Sequence, residues 1–154
     1  MLKLGKVACL SRTERRVMVE AALMLPIVIA ALRLFGFRRT QSALARLSPL
    51  GKRPQPGRLT ERAASCARFV RKAASHAPLR ANCLHQSLTL WGLLRLHGIE
   101  SELRFGARKL DSALEAHAWV EHAGVVVNDG EDVREHFTDF GRAIEPASAA
   151  DSTR

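Results

Sequence analysis

Residues 81–129 read ANCLHQSLTL WGLLRLHGIE SELRFGARKL DSALEAHAWV EHAGVVVND, and three positions in them organise the chain: Cys83, His117 and Asp129. Asn82 is a good helix N-cap. Leu84, Leu88, Trp91 and Leu94 then recur at the spacing of one helix face. His97 and Gly98 supply a last-turn base and a C′ glycine. Upstream, Pro78 biases Ala77 away from helix. Cys83 is therefore predicted in the first turn of a helix of about four turns. The partial positive charge and free N–H groups at that end favour a thiolate over a thiol. The same N–H groups are suited to holding an oxyanion.

Downstream, Ala116-His117-Ala118-Trp119-Val120-Glu121 has a β-favouring centre. His122-Ala123-Gly124 reads as a tight turn and Val125-Val126-Val127 as the return strand. A turn centred on Ala123 sets His117 opposite Asp129, and a two-residue Ala123-Gly124 loop makes them diagonal neighbours. In either register both are expected on one side of the sheet, within reach of an imidazole–carboxylate hydrogen bond. Asp129 would then fix the tautomer of His117 and leave its other nitrogen for a thiol. Trp119 and Glu121 share the parity of His117. Glu121 is a rival orienter, but it lies four residues along the same strand, which favours Asp129.

The 154 residues suit a single domain over 1–140, with a helical part over 10–75, a catalytic part over 78–140 and a frayed tail over 141–154. Cys9, Cys66 and Cys83 form neither a disulfide framework nor a CxxC pair, which points to a reducing cytoplasm. Cys66 reads as a small core residue. His76, His85, His97, His122 and His136 read as surface or capping residues. Zinc is disfavoured, because no pair among Cys83, His85, His117 and His122 has metal-ligand spacing.

Charge is uneven. Residues 1–80 carry 17 Lys and Arg against 3 acidic residues, whereas residues 81–154 carry 7 against 12. A basic half suits an anionic partner. The absence of Tyr leaves no base-stacking platform, so nucleic acid is not expected. Ser11-Arg12-Thr13-Glu14 is a capping-box pattern opening a helix over about 12–34. Its uncharged run, Ala21 to Leu32, is too short to span a bilayer and is bracketed by Glu20 and Arg33. It reads as a helix buried in the domain or against a partner, kinked at Pro26. The alternative is a membrane-surface helix with Arg33, Arg38 and Arg39 at its basic end.

Gly36 is expected to end that helix, with a short second one over 40–47. Residues 48–57 read as a loop, and Thr60 as the cap of a helix over 61–75. Residues 99–108 alternate as a strand, residues 109–115 form a polar connection, and residues 133–140 add a strand or short helix. Helices first, then antiparallel strands, make an α+β layout.

These residues resemble a known family. Pro78, the Cys83-Leu84-His85-Gln86-Ser87-Leu88-Thr89-Leu90 helix, its Arg95 to Gly98-Ile99 ending, the Ala116–Glu121 strand and Asn128-Asp129 are similar to motifs of the transglutaminase-like cysteine peptidases of lasso-peptide biosynthesis, the B or B2 proteins. The resemblance covers about residues 10–135. It implies a papain/transglutaminase-like fold, in which N-terminal helices precede a catalytic helix packed on a small antiparallel sheet. It implies a triad of Cys83, His117 and Asp129 that cuts the leader from a ribosomally made precursor, with no metal or organic cofactor. The implied partners are a separate leader-binding protein and an asparagine-synthetase-like cyclase. A non-hydrolytic acyltransferase and an inactive scaffold that presents the precursor are the alternative functions.

Overall fold

The structure, a computed structural model, describes residues 11–47, 58–77, 80–110 and 113–142. Pro78, the 48–57 loop and the tail beyond 142 lie outside the described residues. Helix α1 spans Arg12–Ala45. Its start is the expected capping box: the Glu14 N–H donates to Ser11 Oγ at 3.2 Å, and the Ser11 N–H donates to Glu14 Oε2 at 3.1 Å. The helix outruns its expected end. Gly36, at φ 75° and ψ 176°, breaks the helical path, but helix resumes at once. Without a Cβ, glycine takes this conformation at little cost. The Thr40 hydroxyl donates to the Gly36 carbonyl at 2.8 Å, satisfying one acceptor at the break. The interruption lies here and not at Pro26, which keeps helical dihedrals.

Helix α2 spans Leu59–His76 and begins after Arg58, with no side-chain cap, so Thr60 sits inside it. Its inward face buries Ala63, Cys66, Ala67 and Val70. Helix α3 spans Cys83–Leu96. It ends in a Schellman turn, with Gly98 at φ 68°. There the Ile99 N–H bonds the Leu94 carbonyl and the Gly98 N–H bonds the Arg95 carbonyl, each at 2.9 Å.

The sequence pattern of α3 suggests one apolar stripe. In the fold every residue from Ser87 to Leu94 is buried. The helix is flanked by α1, α2 and the sheet, which leaves its middle no solvent side. Leu88, Leu90, Leu93 and Leu94 are fully buried. Each contributes about 1.5–3 kcal/mol of apolar transfer.

Strands β1 (Glu102–Leu110), β2 (Ala113–His122), β3 (Val125–Val126) and β4 (Thr138–Arg142) form one antiparallel sheet in the order β3-β2-β1-β4. Helix α4, Val133–His136, precedes β4. The expected polar connection over 109–115 is mostly strand, because Leu110 and Ala113 still pair and Arg108 Nε meets Glu115 Oε2 across the hairpin at 2.6 Å. Gly141 and Arg142 belong to β4, which shortens the expected tail. Side chains alternate across β2. Val120 joins the helical core, and Trp119 joins Val133 and Phe137 beneath the other face. His122 is buried, not at the surface: its ring Nδ1 pairs with the Glu100 carbonyl at 2.6 Å and ties the α3–β1 connection to the end of β2.

Candidate active site

Asn82 places Cys83 at the first residue of α3. Its side-chain oxygen accepts from the His85 N–H at 3.0 Å, and its own N–H donates to His85 Nδ1 at 3.2 Å. His85 is therefore a capping residue and its Nδ1 an acceptor. Burial, aided by the Arg33 charge, lowers its pKa, which favours the same neutral ring. The Gln86 N–H is taken by the Asn82 carbonyl at 3.1 Å. That leaves the N–H groups of Cys83 and Leu84 as first-turn donors outside the helix's own ladder. The Gln86 side chain donates to the Ala81 carbonyl at 3.1 Å and pins the chain as it enters the helix. Cys83 is half-buried.

His117 Nε2 lies 2.5 Å from Asp129 Oδ2. A carboxylate can only accept, so the ring donates through Nε2–H and Nδ1 is its acceptor nitrogen. The second carboxylate oxygen, Oδ1, accepts from the Gly130 N–H at 2.8 Å. The expected pair is present, but the pleat argument for it fails. Ala123 and Gly124 both have positive φ and form the two-residue turn, and Glu121 pairs with Val126. Extended in regular pleat, that register would set Asp129 beside Ala118, on the wrong face. The ladder stops first. The Val127 N–H still bonds the Val120 carbonyl at 2.9 Å, but the Val120 N–H donates to the Asn128 side chain at 2.8 Å. By spending a side chain where a strand would spend backbone, Asn128 frees the chain to turn Asp129 toward His117.

The same asparagine joins helix to sheet. Asn128 Nδ2 donates to Ser87 Oγ at 2.9 Å, and the Ser87 hydroxyl donates to the Ala118 carbonyl at 2.8 Å. Arg71 of α2 donates to the Asn128 carbonyl at 3.1 Å. Helix α3 thus lies along the edge of β2 that β3 leaves open. Trp91 bonds the Ser101 carbonyl beside the far end of β2, so α3 and β2 run in the same direction. Cys83 lies one turn before Ser87 on one helix face. A turn of about 5.4 Å matches about two strand residues, so Cys83 stands at about the level of Ala116, the residue before His117, along the strand direction.

A layer of rings backs His117. It stacks on Phe137 with centroids 4.9 Å apart and lies nearly parallel to Trp119 at 6.3 Å. Gly106 pairs with His117 across the sheet. A Cβ there would stand 2.8 Å from Phe137 Cβ and 3.0 Å from the Trp119 ring, so only glycine lets both rings close over the strand. Glu121, the rival orienter, is engaged elsewhere. It accepts from Trp119 Nε1 at 2.8 Å and Arg134 Nε at 2.9 Å, with Arg104 Nε at 3.6 Å. Burial pushes its carboxyl up, yet these hydrogen bonds and charges outweigh burial and hold its pKa below the ordinary 4.5. Cys66 is the opposite case: burial pushes its thiol up to about 12, as suits a core residue.

Ser87 and Asn128 stood in the sequence only as motif positions without a role, and Gly106 and Phe137 only inside expected elements. Ser87 had a signal, being polar on an otherwise apolar helix face, and so did Gly106, a glycine inside a strand. Phe137 had none, because only the return of β4 beside β1 brings it to His117.

A half-buried thiol at a helix start and, on the strand that this helix bonds, an imidazole held by a carboxylate are the parts that nucleophilic acyl chemistry uses. A family model described as the transglutaminase-like superfamily matches residues 21–142. No curated protein and no solved structure matches the chain. That superfamily includes cysteine peptidases and acyltransferases. The matched span runs from α1 through β4 and holds all three residues of the site, and the chain belongs to the transglutaminase-like superfamily.

Proposed function

We propose that this protein is a cysteine peptidase that hydrolyses the leader–core bond of a ribosomally made lasso-peptide precursor. Cys83 is the nucleophile, His117 the acid–base and Asp129 the orienter. The observation that supports the reading is the 2.5 Å His117–Asp129 pair, on the strand to which the Cys83 helix is bonded through Ser87. His117 Nδ1 takes the Cys83 proton and the thiolate adds to the scissile carbonyl. The first-turn N–H groups of Cys83 and Leu84 stabilise the oxyanion. The imidazolium returns its proton to the departing amine. Water, deprotonated by the same nitrogen, then releases the acyl group and restores the thiol. The motifs of residues 83–90 and 116–121, with Asn128-Asp129, support the lasso-peptide assignment. In this reading the protein works in the cytoplasm with a separate leader-binding protein and a cyclase.

The test is mass spectrometry of a lasso-peptide precursor incubated with the enzyme and a leader-binding protein. Free leader and free core are expected. Cys83→Ala should abolish both while keeping the fold. An acyl product joined to an amine would make the protein a transferase instead. Cleavage at the native rate by Cys83→Ala would end the nucleophile assignment.

A further inference from the structure

Helix α1 buries only one of its two apolar faces. Val17, Ala21, Leu25 and Val28 lie in the core. The opposite face carries Val19, Leu23, Ile27 and Leu34, exposed by 49, 62, 65 and 75 %, with Phe35 at 59 %. These positions form one stripe about 22 Å long at 1.5 Å per residue. It continues sideways into an apolar groove of about 360 Å³ between α1 and α2, where Pro26 and Phe69 meet Ala73. A contiguous exposed apolar surface of this kind marks an interaction site.

The charges around it are mostly basic. Arg12 and Arg15 stand exposed at one end, Arg33, Arg38 and Arg39 at the other, and Lys72 lines the groove. The two acids of α1 are already paired: Glu14 caps Ser11 and meets Arg68, and Glu20 pairs with His97 and with the exposed Arg16. The wider molecule repeats the polarity, with residues 1–80 strongly basic and the α3–sheet half net acidic. The groove is lined by Phe69, Lys72, Ala73 and His76 of α2, and Arg71, which reaches Asn128, is not among its lining residues.

We propose that α1 is an interfacial helix that seats the protein on an anionic lipid bilayer. The Val19–Leu34 stripe enters the headgroup boundary and the arginines at both ends meet lipid phosphates. A plane of negative charge answers both ends and the Lys72 rim at once. A second copy does not, because face-to-face pairing sets arginine against arginine. Spanning is ruled out by the core: the buried face of α1 would have to leave α2 and α3. By length and composition the helix could cross a membrane, whereas in the proposed arrangement its buried face stays on α2 and α3.

The inference is independent of the role of Cys83. The test is co-sedimentation of the full chain with vesicles of phosphatidylcholine alone, or of phosphatidylcholine and phosphatidylglycerol at three to one. Binding is expected to the anionic vesicles and to weaken steeply with salt. The double variant Leu23→Glu/Ile27→Glu should bind at least about tenfold more weakly, since each exposed side chain carries apolar transfer energy. Its circular dichroism and melting temperature should match the wild type. Arg33→Glu/Arg38→Glu should remove the preference for anionic lipid. Absence of sedimentation at low salt, or equal binding by the double variant, would overturn the proposal. So would concentration-dependent dimerisation that the same substitutions abolish, which would assign the face to a second copy.

Discussion

Asn128→Ala tests how the site is assembled. The substitution removes the acceptor of the Val120 N–H at 2.8 Å and the donor to Ser87 at 2.9 Å. Val120 and Ser87 are both fully buried, so neither group regains water. An orphaned buried donor costs about 1–3 kcal/mol, and the second lost bond adds about 1 kcal/mol. A central value of about 3 kcal/mol lowers the melting temperature of a domain this size by about 6–12 °C, at about 2–4 °C per kcal/mol. Function should suffer more than stability. Once the link is cut, Ser87 makes the one remaining α3–β2 hydrogen bond among the described residues, and a shift of about 1 Å between reacting groups costs about 100-fold in rate. Precursor turnover should therefore fall in kcat with KM little changed. Asn128→Asp keeps an acceptor for Val120 but loses the donor to Ser87, so it should recover part of the melting temperature and less of the rate. Thermal melts followed by circular dichroism, with turnover by mass spectrometry, read both. If Asn128→Ala melts within 2 °C of wild type and cleaves normally, this bridge does not hold the helix to the strand.

Three further perturbations have definite outcomes. Gly106→Ala forces a methyl into the 2.8 Å gap beside Phe137, so it should destabilise by about 1–3 kcal/mol in denaturant titration and change near-ultraviolet circular dichroism from Trp119. Glu121→Gln should flatten the acid side of the stability profile: the folded pKa is depressed, so the stabilisation is full above 4.5 and lost as pH falls through the folded value. Melts in steps below pH 5 check this, and an unchanged slope would refute it. Alkylation at neutral pH followed by peptide mapping should label Cys83 and spare Cys66, whose thiol is held near 12 by burial, until the chain is unfolded.

Much of this arrangement is local chemistry. Asn82 before a periodic apolar run specifies where α3 begins and so puts Cys83 in its first turn. Gly98 specifies where it ends, and Ser11 with Glu14 specifies the start of α1. Ala123-Gly124 specifies the hairpin, because two consecutive positive φ values need small residues. Each depends on hydrogen bonds within a few residues, so each is legible in order along the chain.

The pairing of His117 with Asp129 is different. Residue counting reached the right partner by a pleat argument that the observed register contradicts. The carboxylate arrives because Asn128, bonded to Val120 and to Ser87, ends the ladder one residue early. Nothing within the hairpin predicts that, since Ser87 is brought there by the packing of α3. The burial of α3 on every side and the closing of Phe137 over His117 likewise follow from elements distant in sequence. Which face of α1 stays bare was also beyond reach. Its composition is apolar all round, and only the arrangement of α2 and α3 decides which half of that surface is covered. Local backbone bonding selects the elements, whereas which side chains share a cleft is a property of how the elements pack, and the chain order does not carry it.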